Sequence, residues 1–230
     1  MSKYIKRSGA LFGLIWCLAT SCPIFSVEAD PGASPPPNSN VQVVNAASVE
    51  RIDLSIKGMR DYPSLPQGTR ISGGVFDTVK WGFVARPSAA ADPKKMTVES
   101  NFTLAQASAI TVVVIGDFVL VKGSDGDERL RAEIVSVPNA LAAQESHNRV
   151  VVVNGVPDRA VEVTGIGANP MTIEAMQLAR FANLPPVVTV IVNSGEQSLE
   201  VPLEFVAPTN SIVVAVFNRG DKIDFCVMSQ

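Results

Sequence analysis

Side chains able to do chemistry are few in this chain. His147 is the only histidine, and Cys17, Cys22 and Cys226 are the three cysteines among 230 residues. Enzymes of exported compartments ordinarily pair a nucleophile with a base, pair two carboxylates, or gather a metal. His147 stands in a polar connector, and neither Gly-x-Ser-x-Gly nor His-Glu-x-x-His occurs in the chain. Zinc requires three or four imidazole or thiolate ligands, more than this chain can bring together. The acidic run Gly123 to Glu128 lacks the Asp-x-Asp-x-Asp-Gly loop with glutamate at its twelfth position, so it reads as a solvated hairpin turn and not as a calcium loop. Asp53 and Glu162 fall at equivalent places in two strands, on the wet phase, and Cys226 between Phe225 and Val227 reads as a small core residue. The expectation is a non-enzymatic protein with no catalytic residue, no cofactor-binding residue and no metal ligand.

The first 29 residues are set apart from the rest. Lys3, Lys6 and Arg7 form a basic head, Gly9 to Thr20 an apolar run, and Val27-Glu28-Ala29 a cleavage site with small residues at −3 and −1. That is a signal peptide over 1–29; its apolar run is shorter than the roughly 20 residues that span a bilayer. Lipoprotein processing at Cys22, after Leu18-Ala19-Thr20-Ser21, stands as a second route. Cleavage after Ala29 removes three of the 19 Lys+Arg and one of the 22 Asp+Glu, leaving a formal charge of −5. An acidic exported product is a poor partner for nucleic acid. It also keeps Cys226 alone, so apolar burial and not a disulfide must hold it together.

Residues 30–40 (DPGASPPPNSN) read as a Pro-rich linker. Beyond them, β-branched apolar runs separated by Gly, Pro, Asn and Ser dictate strands. Val41 and Val43 alternate with Gln42, Asn45 to Glu50 reads as a turn, and Ile52, Leu54 and Ile56 alternate with Asp53, Ser55 and Lys57, the two strands pairing or lying side by side. Trp81 and Phe83 share the buried phase of a later strand, and Ile110 to Ile115 is the most apolar run of this half. The pattern then repeats. Arg149-Val-Val-Val-Val-Asn154-Gly155, an apolar run that ends in turn chemistry, matches Val41 to Ala46 at an offset of 109, with Ile52 matching Val161 and Leu54 matching Val163; Ile212 to Phe217 matches Ile110 to Ile115 at an offset of 102. A loop of the kind around Arg86 to Lys95 accounts for the seven residues lost. Pro202 marks an edge strand. Six or seven short strands per repeat predict an all-β chain of two tandem, immunoglobulin-like β-sandwich domains, at 41–137 and 149–230, joined by a linker at 138–148.

The Val-x-Val-Val-Asn-Ala start, the following Ile52-Asp-Leu-Ser-Ile56 and the Leu65-Pro-Gln-Gly68 turn resemble the DUF4397 family of secreted β-sandwich modules, which has no assigned chemistry. They also resemble the AlgF-like accessory proteins of alginate O-acetylation, to whose second domain Arg149 to Asn154 and Pro186 to Phe217 are similar in strand order, Ser-Gly turn and final apolar run. This second resemblance implies a non-catalytic periplasmic protein that contacts O-acetyltransferases working on an exopolysaccharide, alginate or another acetylated polymer. The alternative is a secreted or surface-anchored module that binds carbohydrate or cell-envelope partners, with Trp81 and Tyr62 as the mature chain's scarce Trp and Tyr aromatics.

Overall fold

Runs such as Val150 to Val153 have no polar phase, which demands strands buried on both faces. A computed structural model describes residues 39–57, 60–76, 80–103, 109–123, 125–138, 148–205 and 211–229, and every element in it is a strand. The expected signal peptide with Cys17 and Cys22, residues 30–38 of the linker, and His147 lie outside the described residues.

In the first repeat, β1 (Ser39–Ala47), β4 (Arg70–Phe76), β7 (Ala109–Lys122) and β8 (Glu128–Pro138) form one sheet in the order β4-β1-β7-β8. β2 (Arg51–Ile56), β3 (Arg60–Pro66), β5 (Lys80–Pro87) and β6 (Val98–Thr103) form its partner in the order β3-β2-β5-β6. The second repeat follows the same plan. β9 (Asn148–Asn154), β12 (Leu178–Leu184), β15 (Ser211–Arg219) and β16 (Lys222–Ser229) pair as β12-β9-β15-β16, and β10 (Val161–Thr164), β11 (Met171–Ile173), β13 (Val187–Ser194) and β14 (Gln197–Glu204) as β11-β10-β13-β14. Every strand of the first sandwich has its counterpart eight strands later. The chain is all-β, two tandem β-sandwiches.

The registers carry the repeat to single residues. Val41 pairs in parallel with Ile110, and Val150 in parallel with Ile212, so the offsets of 109 and 102 describe one arrangement built twice. The main length difference falls in the kind of loop the sequence pointed to: residues 88–97 connect β5 to β6, whereas residues 195–196 connect β13 to β14. Pro202 lies on β14, an edge strand, where its missing N–H breaks no ladder.

Alternation divides the side chains of the unbroken apolar runs between two cores. Val41, Val43, Val112 and Val114 face Ile52, Leu54, Trp81 and Phe83 inside the first sandwich, and Val150, Val152, Ile212 and Val214 face Val161, Val163, Val190 and Val201 inside the second. The other phase, Val44, Ala46, Val113 and Ile115, packs against Val151, Val153, Val213, Ala215 and Phe217 of the second sandwich. Two inner sheets therefore share a third core, which is why their central strands β1, β7, β9 and β15 are buried on both faces over most of their length. Each fully buried Val or Ile contributes on the order of 2 kcal/mol.

Three expectations are corrected. Among the described residues each sandwich has eight strands, not six or seven. β1 and β2 do not pair: β1 joins β4 and β7, while the chain bends at residues 48–50 and carries β2 to the opposite sheet, between β3 and β5. The turn chemistry of Asn154-Gly155 at the end of the valine run makes no turn either. Asn154 is fully buried; its amide donates to the carbonyls of Arg159, Ile173 and Glu174 at 3.0 to 3.1 Å, and its Oδ1 accepts the Val156 N–H at 3.1 Å. Asn45, its counterpart, donates to Leu65 O at 3.0 Å and accepts from Ala47 N. A buried amide must find such partners, and in both repeats it finds one at the end of an outer-sheet strand, Leu65 of β3 and Ile173 of β11.

Candidate ligand-binding face

β2 and β5 run antiparallel with Asp53 opposite Arg86 and Ser55 opposite Val84, and these four residues point away from the core that Leu54 and Ala85 enter. They floor a hollow of about 410 Å³ on the outer face of the first sandwich. Asp61 and Pro63 of β3 wall one side, and Thr97, from the β5–β6 connection that is long only in the first repeat, another.

Asp53 is held from three directions. Its carboxylate accepts the Ser64 backbone N–H at 3.0 Å and the Ser88 hydroxyl at 2.7 Å, and Arg86 Nη2 stands 3.4 Å away. The Ser64 bond foremost, then Ser88 and the Arg86 charge, keep its pKa below the ordinary aspartate value despite some desolvation. The hollow thus holds a fixed acceptor beside a half-exposed cationic donor, with the Ser55 hydroxyl next along the strand. Tyr62 also lines the hollow, half-buried against the first core, with the Arg60 guanidinium 5.2 Å from its ring centroid.

The residues singled out in the sequence are not brought together. Trp81 and Phe83 are core, stacked with centroids 6.1 Å apart. Glu162, the counterpart of Asp53, is exposed and meets only Asn193 at 3.5 Å among its described hydrogen bonds. The acidic hairpin closes on itself through an Asp125–Arg129 ion pair. Cys226 is half-buried against the shared core, and burial pushes its thiol pKa up. Arg86, Ser64 and Ser88 escaped the sequence reading. The signal was the length difference between the repeats, since an insertion in one copy marks what that copy does beyond folding.

The Leu65-Pro-Gln-Gly68 motif lies at the junction. Gln67 donates through Nε2 to Ala47 O of its own sandwich at 2.7 Å and to Asn218 O of the other at 2.5 Å, and Arg219 Nη2 donates to Gln67 O at 3.4 Å. Next to it, β7 bulges at 117–119, and Arg131 of β8 donates to both Asp117 oxygens at 2.8 and 2.5 Å.

No protein-family model matches the chain, and no curated protein matches it. Among solved structures, the chain is similar to the tip fimbrial protein Mfa3 of Porphyromonas gingivalis, at 10% identity over 85% of this chain and 99% of that one, with a TM-score of 0.28. It is also similar to a family 26 carbohydrate-binding module of Eubacterium rectale, solved with maltoheptaose, at 8% identity over 81% and 95% of the two chains, with a TM-score of 0.26. Likeness at this level carries no functional weight, and the fold class rests on the sheets themselves.

Proposed function

We propose that this chain is an exported, non-catalytic β-sandwich module of the cell envelope that binds a glycan on the outer face of its first sandwich. The observation that carries this reading is the Asp53–Arg86 pair on the floor of the hollow. A carboxylate fixed by Ser64 and Ser88 beside a guanidinium presents an acceptor and a donor side by side, the complement of two vicinal hydroxyls. Preorganisation lowers the ordering cost of a weak polar contact. A binding role also suits the displaced acidities. A general acid or base works best with a pKa near the operating pH, whereas Asp53 is shifted down and the Cys226 thiol up.

Titration of the mature protein with neutral oligosaccharides, followed by amide chemical shifts, is the test. Saturable shifts at residues 53–55 and 84–88 that Arg86→Ala abolishes are expected; no saturable shift with any glycan would sink the proposal.

An accessory role in exopolysaccharide O-acetylation is the finer form of the same reading, in which the module holds the polymer while an acetyltransferase modifies it. The junction placement of Asn45, Gln67 and Asn154 accounts for the motifs behind the AlgF-like resemblance by the way two sandwiches join. That role therefore needs its own test, and unchanged polymer acetylation in a deletion strain would remove it.

A further inference from the structure

The outer face that carries the Asp53–Arg86 hollow continues past it. One step along β5, Gly82 lies opposite Asn101 of β6, and Lys57 N donates to Gly82 O at 2.8 Å. Here a second hollow of about 360 Å³ opens, lined among others by Lys57, Gly82, Asn101 and Thr103. Gly82 lets the Lys57 side chain lie across β5 on its way to Glu99: a Cβ there would stand 2.8 Å from Lys57 Cδ and 3.0 Å from Asn101 Oδ1. Successive outward residues of a strand are about 7 Å apart, so from Arg86 to the end of β5 the two hollows extend on the order of 20 Å. That is several sugar units, more than one hollow alone would engage.

Charge along this track is largely cancelled. Asp53 faces Arg86 at 3.4 Å, and Glu99 takes Lys57 Nζ at 2.6 Å across β5, between the hollows. Asp61 stands in addition. Counted with Arg51, which shares the outward phase of β2 with Asp53, the described charges balance, Asp53, Asp61 and Glu99 against Arg51, Lys57 and Arg86, so a polyanion finds no surplus of positive charge among them, while hydroxyl-rich chains find Ser55, Asn101 and Thr103 beside the charged pairs.

Resting on the glycan-binding reading above, we infer that the ligand is a linear, uncharged polysaccharide that lies along the strand direction and occupies both hollows, crossing the Lys57–Glu99 bridge between them. Lys57, Asn101 and Thr103 supply a second set of contacts, and the polymer is of a class other than uronates.

The experiment is calorimetric titration of the mature protein with cello- and malto-oligosaccharides of increasing length and with oligouronates, at low and high salt. For one neutral series, Kd should tighten by about tenfold from disaccharide to hexasaccharide, with little effect of salt. Asn101→Ala and Gly82→Val should weaken the hexasaccharide several-fold and leave the disaccharide unchanged, whereas Arg86→Ala weakens both. Length-independent affinity with silent Asn101→Ala and Gly82→Val overturns the two-hollow track while leaving the first hollow a glycan site. Salt-sensitive preference for oligouronates overturns the uncharged polymer. No binding of any oligosaccharide overturns this inference and the proposed function together.

Discussion

Gly155 and Ala46 hold equivalent positions in the two repeats and meet at the junction: the site of a Gly155 Cβ is 3.1 Å from the Ala46 carbonyl oxygen and 2.8 Å from that of Val216. Gly155 N donates to Val216 O at 2.8 Å, and Gly155 O accepts the Gly116 N–H of the other sandwich at 3.1 Å. The backbones touch there without intervening side chains. The repeats are thus equivalent in fold but not in sequence where they meet, because only one of the two residues has room for a methyl group.

Gly155→Ala should therefore destabilise the protein by about 3 kcal/mol, the range of overpacking against atoms that cannot move aside. Ala46→Gly should lose no more than about 1 kcal/mol. Urea denaturation midpoints of the two variants check the asymmetry, and equal losses would contradict it.

Because Phe217, Val213 and Val151 pack with Val44, Val113 and Ile115 in one shared core, the sandwiches should unfold together. Phe217→Ala is expected to cost about 3 to 5 kcal/mol and to leave a single calorimetric transition. Two resolved transitions in the unaltered protein would refute the coupling.

Asn154 donates to three carbonyls and Asn45 to one, among the described hydrogen bonds. Leaving buried partners unsatisfied costs about 1 to 3 kcal/mol each, so Asn154→Ala should be the more destabilising of the two alanine variants, by more than about 1 kcal/mol. Thermal melts of both at one pH decide it.

Asp53 has a folded-state pKa below its unfolded one, so its stabilising contribution is complete above the ordinary aspartate range and is lost as pH falls through the lowered value. In acid titrations of stability, the Asp53→Asn variant should fall less steeply than wild type in that window. Parallel curves would show that the Ser64 and Ser88 bonds do not favour the ionised form.

Burial raises the Cys226 thiol pKa, so little thiolate exists at mildly alkaline pH. Iodoacetamide should label Cys226 much more slowly in native protein than in urea. Equal rates would place the thiol in open solvent.

The period-two alternation of Ile52, Leu54 and Ile56, the turn residues and the unbroken valine runs were enough to read two tandem β-sandwiches, because strand periodicity and burial are local properties of the chain. Registers of the repeat were legible too, since equivalent positions bury equivalent side chains: Val41 and Val150 occupy the same place beside Ile110 and Ile212. What the valine runs could not reveal was the identity of their second cover. A strand buried on both faces reads the same whichever sheet lies against it, and only the tertiary structure assigned alternate valines to a core between the sandwiches. It likewise decided that Asn154-Gly155 is a buried junction and not a turn, because two of the carbonyls that bind the Asn154 amide, those of Ile173 and Glu174, lie 19 and 20 residues away along the chain. The candidate site follows the same rule. Asp53, Ser64, Arg86 and Ser88 stand on different segments of the chain, and hydrogen bonds across strands, which no spacing along the sequence encodes, gather them on one face.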